Sequence, residues 1–146
     1  MTTKNEISFI FDSISENEGL ARTVVAAFVS RLDPTMEEMN DVKTAVSEAV
    51  TNAIIHGYEK EPGKITIHSR IEEHVLWIEV MDHGVGIPDV KKAMEPLYTT
   101  KPEMERSGMG FAFMEAFMDE LQVESKEGEG TRIKMKKTIY SALNLS

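Results

Sequence analysis

The chain has 146 residues, a formal net charge of −9, 41% apolar and 28% charged residues, and no cysteine. A chain of this size and mixture is expected to fold as one domain, residues 1–146, with its own core. The acidity argues against direct nucleic-acid binding, the missing cysteine excludes disulfides and thiolate chemistry, and the lack of an apolar leader or spanning segment gives a cytoplasmic, membrane-free expectation.

Ile7, Phe9 and Phe11 alternate as in an opening strand. Ser15 followed by Glu18 has the form of a capping box. Leu20, Val24, Ala27, Phe28 and Leu32 then recur at helical spacing. Asp33, Pro34 and Thr35 end that helix and start a longer one, predicted from about Met36 to His56. Gly57 stands where a helix end favours a left-handed residue. Glu61–Gly63 reads as a turn, and Ile65, Ile67, Ser69 and Ile71 as one face of a strand. Glu72–His74 reads as a hairpin connection and Val75–Met81 as a largely buried strand. From Asp82 to Gly110 the chain is irregular and rich in glycine and proline, and loops of that length are usually functional. Phe111–Phe117 predicts a helix, Leu121–Ser125 a strand, Gly128–Gly130 a turn, and Thr131–Lys137 the last strand. This order predicts an α+β, two-layer sandwich, with helices on one face of a mixed sheet.

On the second helix, Val42, Ala45, Val46, Ala49, Val50, Ala53 and Ile54 form a broad apolar face. Thr44, Ser47, Glu48, Thr51, Asn52 and His56 form the other, which in isolation reads equally as the wet side of a helix. Glu48 and Asn52 are four residues apart and stack on one face. A carboxylate against an apolar wall suits a general base. A carboxamide offers oxygen to a hard cation and N–H groups to a phosphate. His56, near the helix end, reads as structural.

Asp82 follows the buried strand, with Gly84 and Gly86 after it. An acid there accepts a hydrogen bond from an exocyclic amine, and Gly86 lets a base approach the backbone. Arg106, Ser107, Gly108 and Gly110 open the next helix, where free N–H groups face a phosphate. Thr99, Thr100 and Lys101 give a lid two hydroxyls and a cation. The chain has no Walker-type or dinucleotide glycine loop and no zinc-protease motif.

Glu48-x-x-x-Asn52, Asp82-x-Gly84-x-Gly86 and Gly108-x-Gly110, in that order, resemble the Bergerat-fold ATPase superfamily, which includes the gyrases and histidine kinases. Over roughly residues 5 to 138 the chain is similar to the small anti-sigma factor serine kinases, most closely in Ser47–Gly57 and Thr99–Phe111. The resemblance implies a Bergerat ATP-binding fold and a homodimeric protein serine kinase that uses ATP with Mg2+ and leaves ADP. Its substrate would be a serine of a small anti-anti-sigma protein, and it would also bind and inhibit a sporulation sigma factor. It implies Glu48 as catalytic base, Asn52 as magnesium ligand, Asp82 as reader of the adenine amine beside Gly84 and Gly86, and Thr131 as a second adenine contact. Thr99, Lys101, Arg106, Ser107, Gly108 and Gly110 would surround the phosphates. Arg22, exposed by its spacing on the first helix, is a candidate partner contact that the motif does not fix. The same residues would also serve a nucleotide-gated ATPase or binding module that phosphorylates no protein.

Overall fold

The computed structural model describes residues 4–59, 61–95 and 110–140. Five strands form in chain order: β1 (Lys4–Asp12), β2 (Lys64–Glu72), β3 (Val75–Asp82), β4 (Glu120–Lys126) and β5 (Gly130–Thr138). The helices are α1 (Glu16–Val29), α2 (Met36–Asn52), the short α3 (Val90–Ala93) and α4 (Gly110–Phe117). The sheet order is β1-β2-β3-β5-β4. Side chains alternate across a strand, so Ile65, Ile67 and Ile71 of β2 and Leu76, Ile78 and Val80 of β3 share a face, and all six are buried. They join Val25 and Val29 of α1, Val42, Ala45, Val46 and Ala49 of α2, and Phe111 and Met114 of α4 in one core. This is the expected two-layer α+β sandwich.

The sheet differs from the expectation in one respect. All four strand pairings are antiparallel, where a mixed sheet was expected. α1 and α2 pack on each other between β1 and β2 and return the chain to the end it left, so β2 pairs antiparallel with β1. β3 and β4 do run in the same direction across the α4 crossover, but β5 inserts between them and pairs antiparallel with both. The parallel relationship exists without a parallel hydrogen-bonded ladder.

Two helix assignments shift. Ser15 precedes α1 in a helical conformation and makes no side-chain cap, and Glu18 turns instead toward Arg22, 3.9 Å away. The capping box lies at α2, where Thr35 Oγ1 accepts the Glu38 N–H at 3.0 Å and Glu38 Oε1 accepts the Thr35 N–H at 2.9 Å. The other Glu38 carboxylate oxygen accepts the Tyr140 N–H at 2.8 Å, tying the start of α2 to the chain just beyond β5. The buried stripe of α1 is Ala21, Val25, Phe28 and Val29, while Leu20 is 55% exposed. This helix is apolar on nearly every side, so two stripes one residue apart have the same period, and the one with small Ala21 packs against α2. The apolar face expected for α2 is buried throughout.

The face of the sheet away from the helices carries cross-strand charge pairs: Glu79–Arg132, Glu124–Lys134 and Glu120–Lys136. Trp77 lies among them, with the Arg70 guanidinium 4.2 Å from its ring centroid. Among the described residues, no helix is long and apolar enough to cross a membrane.

Candidate functional site

α2 carries Glu48 and Asn52 one turn apart, both half-buried, on a helix whose Ala45, Ala49 and Ala53 are fully buried. It does not stop at Asn52. Ala53–Gly57 continues as a π turn, closed by the Tyr58 N–H on the Ala53 carbonyl at 2.9 Å. Such one-turn insertions recur at functional sites because they redirect the chain without breaking the helix. Here the turn delivers Gly57 to Asp82. A Cβ on Gly57 would lie 2.8 Å from the Asp82 carboxyl carbon. Gly57 is therefore required by contact. It is not among the positive-φ residues, contrary to the left-handed helix end expected for it, and Glu59 takes the positive φ of 53°. From Gly57 back to Glu48 is nine positions, about 13 Å of helix. One continuous helical run thus carries the carboxylate, the carboxamide and a wall of the Asp82 site.

Asp82 ends β3 and is 5% exposed. Its Oδ1 accepts the Gly84 N–H at 2.9 Å. Burial pushes its pKa above the ordinary value, opposed by the N–H groups of Gly84 and Thr131 and by the charge of neighbouring His83. Thr131 of β5 is directly across the ladder from Asp82 and is also buried.

Three further glycines let backbone segments converge there. A Cβ on Gly84 would fall 1.8 Å from the Gly57 carbonyl oxygen, and one on Gly130 2.1 Å from the Asp82 carbonyl oxygen. Gly86, at φ +78°, has a left-handed conformation and would place a Cβ 2.2 Å from the Lys126 carbonyl oxygen. The loop after β3 is laced to its surroundings. The Val85 N–H donates to the Gly57 carbonyl at 2.8 Å, the Gly128 N–H to the Val85 carbonyl at 2.7 Å, and the Ile87 N–H to Ser125 Oγ at 2.7 Å. The Tyr58 hydroxyl accepts the His83 N–H at 2.8 Å and donates to the Lys64 carbonyl at 2.5 Å.

The structure therefore brings Asp82, Gly84, Gly86 and Thr131 together and sets Glu48 and Asn52 on the helix that runs into them. Gly110 is the buried first residue of α4, which packs on α2. Thr99, Lys101, Arg106, Ser107 and Gly108 lie outside the described residues. Arg22 is apart from this group on α1, with a 42% exposed side chain facing Glu18. Sequence reasoning missed the contact role of Gly57 and the parts played by Tyr58, Ser125 and Gly130. Only Gly130 left a trace, as a turn glycine preceding Thr131.

The donor set fits a nucleotide. Asp82 and Thr131 place side-chain oxygens opposite each other on adjacent strands, as recognition of a base amine needs, and the glycines let the surrounding backbone close in around them. Among the described residues, no group of three acids or histidines could hold a metal alone. A magnesium ion carried largely by phosphate oxygens needs only one or two protein ligands, and Asn52 can supply one.

A family model described as "Histidine kinase-like ATPase domain" matches residues 13–137. The chain is 60% identical over 134 residues to an anti-sigma F factor of Clostridium acetobutylicum, covering 92% of this chain and 94% of the relative. It is 57% identical over 137 residues to the anti-sigma F factor of Geobacillus kaustophilus, covering 93% and 94%. Among solved structures, the RsbU and RsbW domains of Rv1364c from Mycobacterium tuberculosis align with a TM-score of 0.67 at 17% identity, over 92% of this chain and 32% of that one. The catalytic domain of histidine kinase ThkA aligns with a TM-score of 0.56 at 17% identity, over 91% and 97%. These structures share the fold, and the curated relatives narrow the family. The chain belongs to the anti-sigma F factor family, within the histidine kinase-like ATPases.

Proposed function

We propose that the protein is an ATP-dependent serine kinase that phosphorylates an anti-anti-sigma protein and, in its nucleotide-bound homodimer, binds and inhibits a sporulation sigma factor in the cytoplasm. The observation that carries the catalytic part is the single helical run joining Glu48 and Asn52 to the glycine-walled Asp82. Phosphoryl transfer asks mainly for positioning, charge neutralisation and a base for the acceptor hydroxyl. Asp82 and Thr131 hold the adenine end, which fixes the nucleotide's direction along α2. Asn52 would hold Mg2+, which when bound neutralises charge on the phosphate oxygens. Glu48 takes the proton of the acceptor serine as its oxygen bonds to the γ-phosphorus and the bond to the departing ADP breaks. Thr99, Lys101, Arg106, Ser107, Gly108 and Gly110 complete the phosphate end in this reading. Arg22 on α1 is the partner contact. Support for the sigma factor comes from the relatives' name.

The test supplies γ-labelled ATP and Mg2+ to wild type and to Glu48→Ala, with extract shown to contain the candidate substrate. Label on serine of one small protein, with wild type only, is the expected result. Free phosphate without labelled protein would replace the kinase with a nucleotide-gated ATPase, and no turnover at all would leave a binding module.

A further inference from the structure

Three hydrogen bonds meet at Ser125 Oγ, on the β4 strand beside the site. The Ile87 N–H lies 2.7 Å away, the Gly130 carbonyl oxygen 3.0 Å and Thr131 Oγ1 2.9 Å. A serine hydroxyl has one proton and two lone pairs. An amide N–H only donates and a carbonyl only accepts, so the first two bonds fix two of the three roles. The Ser125 proton goes to Gly130, and one lone pair takes the Ile87 N–H. A single lone pair remains for Thr131, whose hydroxyl must then donate. All three capacities of Ser125 are used.

We infer that Ser125 sets the hydrogen-bond polarity of the base site by holding the Thr131 proton, so that Thr131 offers only lone pairs to the ligand. This rests on the nucleotide reading proposed above and deepens it. Thr131 faces Asp82 across the ladder. With its proton committed, both side chains are acceptors. Such a pair takes a ligand group that only donates, an exocyclic amine, and opposes a carbonyl at the same position. A free threonine hydroxyl would rotate and donate to that carbonyl, blunting the discrimination. Ser125 is thus a positioning residue for specificity. It also pins Ile87 and so shapes the loop that carries Gly84 and Gly86.

The experiment compares binding of ADP and inosine diphosphate, in which a carbonyl replaces the amine, to wild type, Ser125→Ala and Ser125→Thr by calorimetry. Wild type prefers ADP. Ser125→Ala is expected to lower the ADP-to-inosine-diphosphate preference about tenfold, the scale of one buried hydrogen bond gained or lost. Ser125→Thr, which keeps the hydroxyl, restores it. Equal weakening of both ligands in Ser125→Ala would reduce Ser125 to a loop anchor and overturn the inference. If Ser125→Ala does not fold, wild type decides through NMR. A slowly exchanging Thr131 hydroxyl proton with a cross-peak to the Ser125 β-protons is expected, and a freely exchanging one overturns the inference. Wild type without any preference for ADP would instead defeat the adenine reading itself.

Discussion

The Cα of Gly57 rests against the carboxyl group of Asp82, so that a methyl group there would lie 2.8 Å from its carbon and both of its oxygens within 2.9 Å. Gly57→Ala therefore forces either the π turn or the carboxylate to move. Overpacking of this kind costs about 1–3 kcal/mol. The expected outcome is a less stable protein whose ADP affinity falls further than stability alone explains. Thermal melts with and without ADP check this, because the ligand-induced rise in Tm should shrink in the variant.

In the proposed reading, Asp82 trades stability for recognition. Burial raises its pKa above 3.8. For an acid shifted in that direction, the favourable contribution is complete below 3.8 and is lost as pH rises through the folded value. At neutral pH the buried carboxylate is a burden on the fold. Asp82→Asn is expected to raise Tm by a few degrees near pH 7, with the gap narrowing as pH falls toward 4, and to lose selectivity for adenine nucleotides. Melts across that pH range, paired with ADP and GDP titrations, test both halves. A variant less stable than wild type at pH 7 would contradict the burial argument.

The net charge of −9 gives the chain a long-range field that favours a basic partner. Association with the sigma factor is expected to slow by about tenfold between low and high salt, with dissociation changing much less. Stopped-flow association rates across an ionic-strength series measure it, and a flat series would remove steering from the account.

The α2 capping box supports the helix that carries Glu48 and Asn52. Thr35→Ala should cost about 1 kcal/mol, a fall in Tm of about 2–4 °C in a domain of this size. Glu38→Ala should cost more, because Glu38 also accepts the Tyr140 N–H. Chemical denaturation of the two variants gives the comparison.

What was legible in the sequence follows from how local each signal is. β2 and β3 were readable because Ile65, Ile67, Leu76, Ile78 and Val80 repeat at the period of a strand, and α2 because its seven apolar positions share one helical face. The stripe of α1 was readable only in part: Phe28 and Leu32 are buried as expected, but Leu20 and Ala21 begin equally regular patterns, and packing rather than period buries Ala21 and leaves Leu20 exposed. Ser15 and Thr35 both precede a glutamate at the right spacing, and backbone conformation alone decides which one caps. At the site, Asp82, Gly84 and Gly86 are adjacent in the chain and carry a motif. Gly57, Ser125 and Gly130 meet them only through folding, so the sequence marked the two glycines as chain turns and gave no sign of the contacts all three make. The insertion of β5 between β3 and β4 is likewise a long-range choice that element order leaves open.

That insertion also sets a timetable. Asp82 and Thr131 face each other across a ladder whose second strand is made after the other four described strands. The strands made earlier can pair among themselves, but β3 and β4 have no bond to each other without β5. A growing chain therefore holds the acid of the site for nearly fifty residues before it holds the threonine. Competence to hold a ligand between these two residues arrives with the closing of the sheet, so a nucleotide seated there would report a closed sheet.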